Sequence, residues 1–429
     1  MTKIGDYAFQ SCGLESITIP NSVTSLGQYA FSMCGSLETV TIGSGLTAIP
    51  SGAFSECSAL TTVNFPNTIK TIGTSAFSYC TGLTGISIPN STTTIGEYAF
   101  QNCTALESIH LSGLLTSIGD SAFEDCSALD NVTFPNTLTS IGSCAFSSTG
   151  ITSLALPSGI ESIGNAAFSN CNGIEVLNIS LTTDMSIGSS LFSYCTGLQT
   201  ATITGNITEI KEYMFNGCEN LSSLTLPATV TKIGNGAFSG CADLNYTFSS
   251  NITSYGDHAL QGVPLTTVTI SPNVTYGEGV FSQSKSIEFV TVENGVTSIP
   301  DSMFWDCTNL ISVELPDTVT SIGNKAFYNS GLTSIVLPQN LKTIGNYAFY
   351  GTKLATLTLN NKLESIGTEA FSSISTLKTI NFSDSVTYYG NRAFACSGVT
   401  SVSMKIDDTV TENGGLFGLQ RAQDRCDYR

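Results

Sequence analysis

A phenylalanine recurs along this chain every 21 to 24 residues, and that spacing constrains the fold more than any other feature. It stands at Phe9, Phe31, Phe54, Phe77, Phe100, Phe123, Phe146, Phe168, Phe192, Phe215 and Phe238. Leu260 takes its place for one turn, and it resumes at Phe281, Phe304, Phe327, Phe349, Phe371, Phe394 and Phe417. The most regular unit runs from Leu60 to Gly82, with apolar residues at Leu60, Val63, Phe65, Ile69, Ile72, Phe77 and Cys80. Neither the helical period of about 3.6 residues nor strand alternation runs through the whole unit. One short strand followed by a winding return path does fit, and that is the unit of a solenoid. A single coil of this kind cannot bury its apolar face alone, so each is expected to pack on its neighbours.

The strand is the L-x-x-V-x-I stretch, such as Leu37 to Ile42, and eighteen can be counted from Leu14–Ile19 to Val399–Met404. Several end in proline (Pro20, Pro66, Pro89), which has no N–H for a ladder and so closes the strand. An Ile-Gly pair such as Ile72-Gly73 or Ile95-Gly96 precedes most anchor Phe residues. The glycine implies either a backbone conformation or a close approach that a Cβ would forbid. From that glycine to the following cysteine the chain is too short for a long helix, so a helical or 3₁₀ turn is expected.

Eleven of the 14 cysteines sit three residues after an anchor: Cys12, Cys34, Cys57, Cys80, Cys103, Cys126, Cys171, Cys195, Cys218, Cys241 and Cys307. Stacked coils place them in a row with parallel Cα–Cβ vectors. A disulfide needs the two Cβ atoms turned toward each other, and a zinc site needs thiolates converging on a point. The row is therefore expected to be a buried, reduced ladder of small apolar fillers. Cys144, Cys396 and Cys426 lie off the pattern.

Charged residues are 11% of the chain, with Asp and Glu outnumbering Lys and Arg 33 to 15, for a net charge of -18. A phosphate-backbone partner would need clustered Lys and Arg, so no nucleic acid is expected. No apolar run approaches the roughly 18 residues of a membrane span, so no membrane insertion is expected. The opening, MTKIGDYAF, enters in mid-coil without a signal-peptide segment. The expected organisation is a single solenoid over 1–404, with irregular coils at 242–292, and an incomplete terminal repeat with a polar tail at 405–429.

The repeated motif L-x-x-I/V-x-I/L-P-x-x-V/I-T-x-I-G-x-x-A-F-x-x-C resembles the BspA-like, or Treponema pallidum type, leucine-rich repeat family from residue 4 to about 404. The resemblance implies an α/β solenoid: a right-handed leucine-rich repeat superhelix of about 18 coils of 22–23 residues. A parallel β-sheet would line the concave face, with short helical or 3₁₀ turns and loops on the return side. It also implies a cell-surface or secreted protein that adheres to extracellular matrix or cell-surface proteins.

The concave row (Thr18, Thr41, Asn64, Ser87, His110 and onward) is made of neutral hydrogen-bonding groups. The two histidines, His110 and His258, lie 148 residues apart and cannot share a site, so no acid–base pair or nucleophile–base set is legible. No enzyme, cofactor or metal is expected. Five residues break the pattern as possible protein-binding positions. Phe289 stands where neighbouring coils carry Thr or Ser, either exposed or buried by a register shift. Tyr246 and Tyr276 lie in the irregular coils. His110 interrupts the concave row, and Trp305 follows anchor Phe304 on the return side. The expected function is a non-catalytic protein-binding or adhesion module. The alternatives are a self-assembling structural repeat protein and a carbohydrate-binding surface.

Overall fold

A computed structural model of the protein describes residues 1–400. The expected terminal repeat and tail at 405–429, and Cys426 within it, lie outside the described residues. The described residues fall into two compact units that divide between Val230 and Thr231, each built the same way. The described residues carry 31 strands, all of whose assigned pairings are parallel, arranged as a β-solenoid of about 17 turns.

The strands fall into two files. The expected one, on what we call the strand face, comprises stretches such as Ser16–Thr18, Thr39–Thr41 and Thr62–Asn64, paired in register as Ile17↔Val40↔Val63. The second file was not anticipated. It is made of two-residue strands at the Ser/Thr-Ile step before each glycine, such as Thr71–Ile72 and Thr94–Ile95, and is the more continuous of the two. In the first unit it runs as a seven-stranded sheet from Ala48–Ile49 to Ser186–Ile187. The first file is interrupted there, with no strand between Ser108–His110 and Val176–Leu181. Each Ile of the second file except half-buried Ile187 is buried, while the residue before it, usually Ser or Thr, remains at least partly exposed. The pattern is thus one step of strand alternation, too brief to stand out in the sequence.

The core is a stack of anchor rings. Phe54, Phe77, Phe100 and Phe123 are fully buried, with successive centroids 5.4, 5.4 and 5.3 Å apart and planes within 12°. Offset-stacked aromatic pairs contribute about 0.5–1.5 kcal/mol beyond the area they bury. Leu60, Ile69, Ile72 and Cys80 of the reference unit are buried around the ring of Phe77, while Val63 and Phe65 are half-buried. Phe65 meets Phe77 edge-on at 5.8 Å. In most coils the residue before the anchor is a fully buried alanine, such as Ala76 or Ala99.

The return segment is not helical: no helix occurs among the described residues. Turns with a two-way hydrogen-bond pattern replace the expected helical or 3₁₀ turn. In the Phe77 coil, Ser75, Phe77 and Tyr79 donate their N–H groups forward to the carbonyls of Glu97, Ala99 and Gln101 at 2.8, 2.8 and 2.7 Å. The intervening Ala76, Ser78 and Cys80 donate back within the coil to Gly73, Ser75 and Phe77 at 3.2, 3.2 and 3.3 Å. A helix directs every N–H along itself, so it could not have tied one coil to the next. The alternation requires left-handed residues two before and two after each anchor. Tyr7 and Ser11 flank Phe9 with φ of 56° and 58°, and Ser75 and Tyr79 flank Phe77 with 55° and 58°. Twenty-nine of these positions hold a residue other than glycine, although such residues usually avoid this region.

The glycine after the second-file Ile is required for space. Gly73 does not adopt a positive φ, but a Cβ there would stand 2.7 Å from the carbonyl oxygen of Ile49 in the preceding coil. Close approach, not conformation, is the reason for the glycine.

Within the second unit, the irregular coils are repacked rather than opened. Leu260 leaves the ring stack short of one Phe, and tyrosines at the second-file Ile positions supply bulk beside it. Tyr255 and Tyr276 stack at 5.7 Å and both reach Phe281, at 6.4 and 6.2 Å. The hydroxyl oxygen of Tyr276 accepts the Ser271 N–H at 3.2 Å. Burial pushes the Tyr255 hydroxyl above its usual range, with the neighbouring Tyr276 and Tyr246 hydroxyls adding to the rise. Tyr246 is half-buried edge-on against Phe248, 4.9 Å away, and Phe248 in turn meets Phe238 at 5.6 Å.

Candidate functional site

The strand face presents its exposed row as expected: Thr41 pairs beside Asn64, Ser87 beside His110, and Thr291 beside Glu314. Asn64 bonds to Thr41 across coils, Nδ2 to Oγ1 at 3.3 Å, and Asn381 bonds to Thr358 at 3.1 Å. Groups already paired along the row offer hydrogen bonds at low density and no group tuned for proton transfer. No His/Cys/Asp/Glu group able to hold a metal occurs among the described residues.

The five singled-out residues do not converge. Phe289 begins strand Phe289–Val292, in register with Thr267 and Ser312, and is 49% exposed; no register shift buries it. Two further exposed apolar side chains, Ile311 and Val336, the latter 83% exposed, lie on the next two coils. By strand geometry Phe289 and Val336 are roughly 12 Å apart, two coils and two residues removed. Glu288 and Glu314 border this patch in sequence and register. Tyr246 and Tyr276 serve the packing described above. His110 stands exposed on the strand face of the other unit, beside Ser87. Trp305 is half-buried on the return side in the file that continues to Tyr328 and Tyr350, whose rings stack at 4.8 Å.

One feature of the first unit was missed from sequence. A groove of about 690 Å³ lies on the strand face between Leu154–Pro157 and Asn178–Thr182, walled further by Met185, Thr202 and Thr204. Here the first-file ladder lapses. Ile42 and Ile88 donate to the carbonyls of Asn64 and His110 at 2.9 and 2.8 Å, but the equivalent bond from Leu156 to Asn178 is not made. The available signal was in the spacing, since Phe146 to Phe168 is 22 residues and Phe168 to Phe192 is 24, the longest interval in the chain. The extra residues lengthen the next strands to Val176–Leu181 and Thr200–Gly205, which overhang the shorter coil before them.

Comparison with known proteins bears on this repeat directly. The model of the BspA-type leucine-rich repeat region matches residues 2–129, 93–222, 185–311 and 297–414, nearly the whole chain. The chain belongs to that family. Similar solved structures include a leucine-rich repeat protein from Bacteroides ovatus, 26% identical over 76% of this chain and 80% of that one, with a TM-score of 0.59. A leucine-rich cell-surface protein from Faecalibacterium prausnitzii is 24% identical over 94% of this chain and 87% of its own, at a TM-score of 0.37. The pneumococcal vaccine antigen PcpA is 18% identical over 77% and 83%, at 0.44. No curated protein sequence matches the chain. Leucine-rich repeat proteins of this kind generally act in protein interaction or at surfaces. No helix of the described residues is long and apolar enough to cross a membrane.

Proposed function

We propose that the protein is a non-catalytic recognition module that binds a protein partner at a cell surface or outside the cell, and that Phe289 anchors the contact. The observation that carries this reading is the pair of exposed apolar residues Phe289 and Val336 on the strand face, with exposed Ile311 just before the strand Ser312–Glu314 of the coil between them. Single exposed apolar residues are ordinary, but a neighbouring set within a neutral polar row has the composition of an interface centre with a hydrophilic rim. Family membership supports protein binding over the carbohydrate alternative, and among the described residues Phe289 and the distant His110 are the exposed rings we find on the strand face, which is no platform of several. Matrix and cell-surface proteins are the partners to try first. The test is binding of the intact protein to immobilised matrix proteins, comparing the parent with a Phe289→Ser/Val336→Thr pair. A loss of tenfold or more, on the order expected for an aromatic anchor, supports the site. Equal binding by both proteins removes it.

A further inference from the structure

We propose that the return side of the Met1–Val230 unit is a second interaction surface, and that its partner is a lysine- and arginine-rich protein segment. This face is independent of the strand-face contact proposed above. Its first observation is a set of aromatic residues that keep much of their surface in solvent. Tyr7, Tyr79, Tyr98, Tyr194 and Tyr213 occupy left-handed positions two residues from an anchor, and all are more than a third exposed. Glycine serves the same position without strain at Gly52 and Gly217, so the turn itself does not call for tyrosine. These rings lie outside the buried core, and apart from Tyr7, which stacks on Tyr29 at 5.3 Å, they leave about half their surface open to a partner.

The second observation is charge. Between Lys70 and Lys211 the chain contains no lysine or arginine at all, while it carries ten Asp and Glu. On the return side Glu97, Glu124 and Asp125 lie in or beside the files of Tyr79 and Tyr98. Glu56, Tyr79 and Asp125 belong to one file, two residues after successive or near-successive anchors, with Asn102 between the last two. Glu97 and Tyr98 are adjacent and both exposed, and Glu124 accepts a bond from Gln101 at 2.8 Å. Each step along the file is one coil, about 4.8 Å. Between Lys70 and Lys211, around Tyr79, Tyr98 and Tyr194, the patch thus presents ring faces and carboxylates with no lysine or arginine of its own in the sequence to neutralise them. Arginine and lysine suit such a surface twice over, by pairing with the carboxylates and by lying over the electron-rich ring faces. The same negative field repels nucleic acid and anionic lipid, which leaves a basic protein segment as the occupant.

The test uses the full chain and a fluorescein-labelled (Arg-Gly)5 peptide, followed by fluorescence anisotropy at low and physiological salt, with (Glu-Gly)5 as control. Saturable binding of the arginine peptide is expected, with at least fivefold weakening by Tyr79→Gly/Tyr98→Gly and by Glu124→Gln/Asp125→Asn. Phe289→Ser should leave it unchanged. Gly is native at equivalent turns, so the tyrosine variant should melt at or above the parent temperature. If it does not fold, Tyr79→Asn replaces it, since Asn102 holds the equivalent position with φ of 58°. Three results would overturn the proposal. These are no binding by the parent, loss in the acidic variant with none in the tyrosine variant (diffuse attraction only), and loss on Phe289→Ser.

Discussion

The thiol of Cys103 donates a hydrogen bond to the carbonyl oxygen of Phe77, one coil earlier and 3.2 Å away. The same oxygen accepts the N–H of Cys80 at 3.3 Å, so two coils meet at one acceptor. Cysteine is therefore more than a small filler, because it fits the volume and also supplies a donor. Cys103→Ala should cost about 1–2 kcal/mol, from the lost bond and the sulfur-sized void. Cys103→Ser keeps a donor and should recover part of that loss. Chemical denaturation midpoints at constant slope measure both; equal destabilisation would remove the hydrogen bond as a contributor.

Burial pushes several of these thiols up: Cys57 and Cys307 to about 12, Cys171 to about 11. A thiol whose pKa is higher folded than unfolded binds its proton more tightly in the native state. The stabilisation is complete below the unfolded value of about 8.5 and declines as pH rises toward the folded one. Thermal stability should accordingly fall between about pH 9 and pH 12, more steeply in the parent than in a variant with Cys57, Cys171 and Cys307 replaced by serine. In a Cys426→Ser background, native alkylation should mark the half-buried Cys12, Cys144 and Cys396 and spare the buried file. Mass mapping of the label decides this.

At Ala166, φ is 54°, and its methyl group has no interaction that requires the left-handed turn. Ala166→Gly should be neutral or stabilising by up to about 1 kcal/mol, because relief of the Cβ clash outweighs the extra freedom of the unfolded chain. The neighbouring Ala167 is fully buried beside Phe168, and Ala167→Gly should destabilise instead. Calorimetric melting of the two variants should move in opposite directions.

Tyr255 and Leu260 are expected to be coupled. Leu260→Phe alone forces an anchor ring into space that the tyrosines already crowd, at a cost of about 1–3 kcal/mol. Adding Tyr255→Ile, the residue found at the equivalent step of most coils, should restore much of it. A double-mutant cycle with no interaction energy would mean that the two positions adapt separately.

The anchors, the buried cysteine file and the strand face were legible because each repeats one apolar residue at one spacing. The second file was not, since a buried Ile after one polar residue gives a two-residue strand no pattern of its own. The left-handed turns were hidden for a different reason. Their positions hold Tyr, Ser, Asp, Met and Ala alike, because the fold dictates the backbone there and leaves the side chain free. Tyr246 and Tyr276 drew notice as departures from the repeat, and packing accounts for both. Phe289 drew notice on the same grounds, and its exposure sets it apart. The groove at Leu154–Thr204 is a consequence of unequal coil lengths, which register only when successive intervals are compared.

The alternation of forward and backward N–H bonds in the return segment has a mechanical meaning. A terminal coil is held to the next by a short file of parallel bonds that bear load together, while its backward bonds hold only its own loop. Tension applied along the chain should therefore peel the protein one coil at a time. Each rupture would release about 22 residues, roughly 75 Å of slack, before the next file takes the strain. Such a chain would absorb work under pull in repeated small steps.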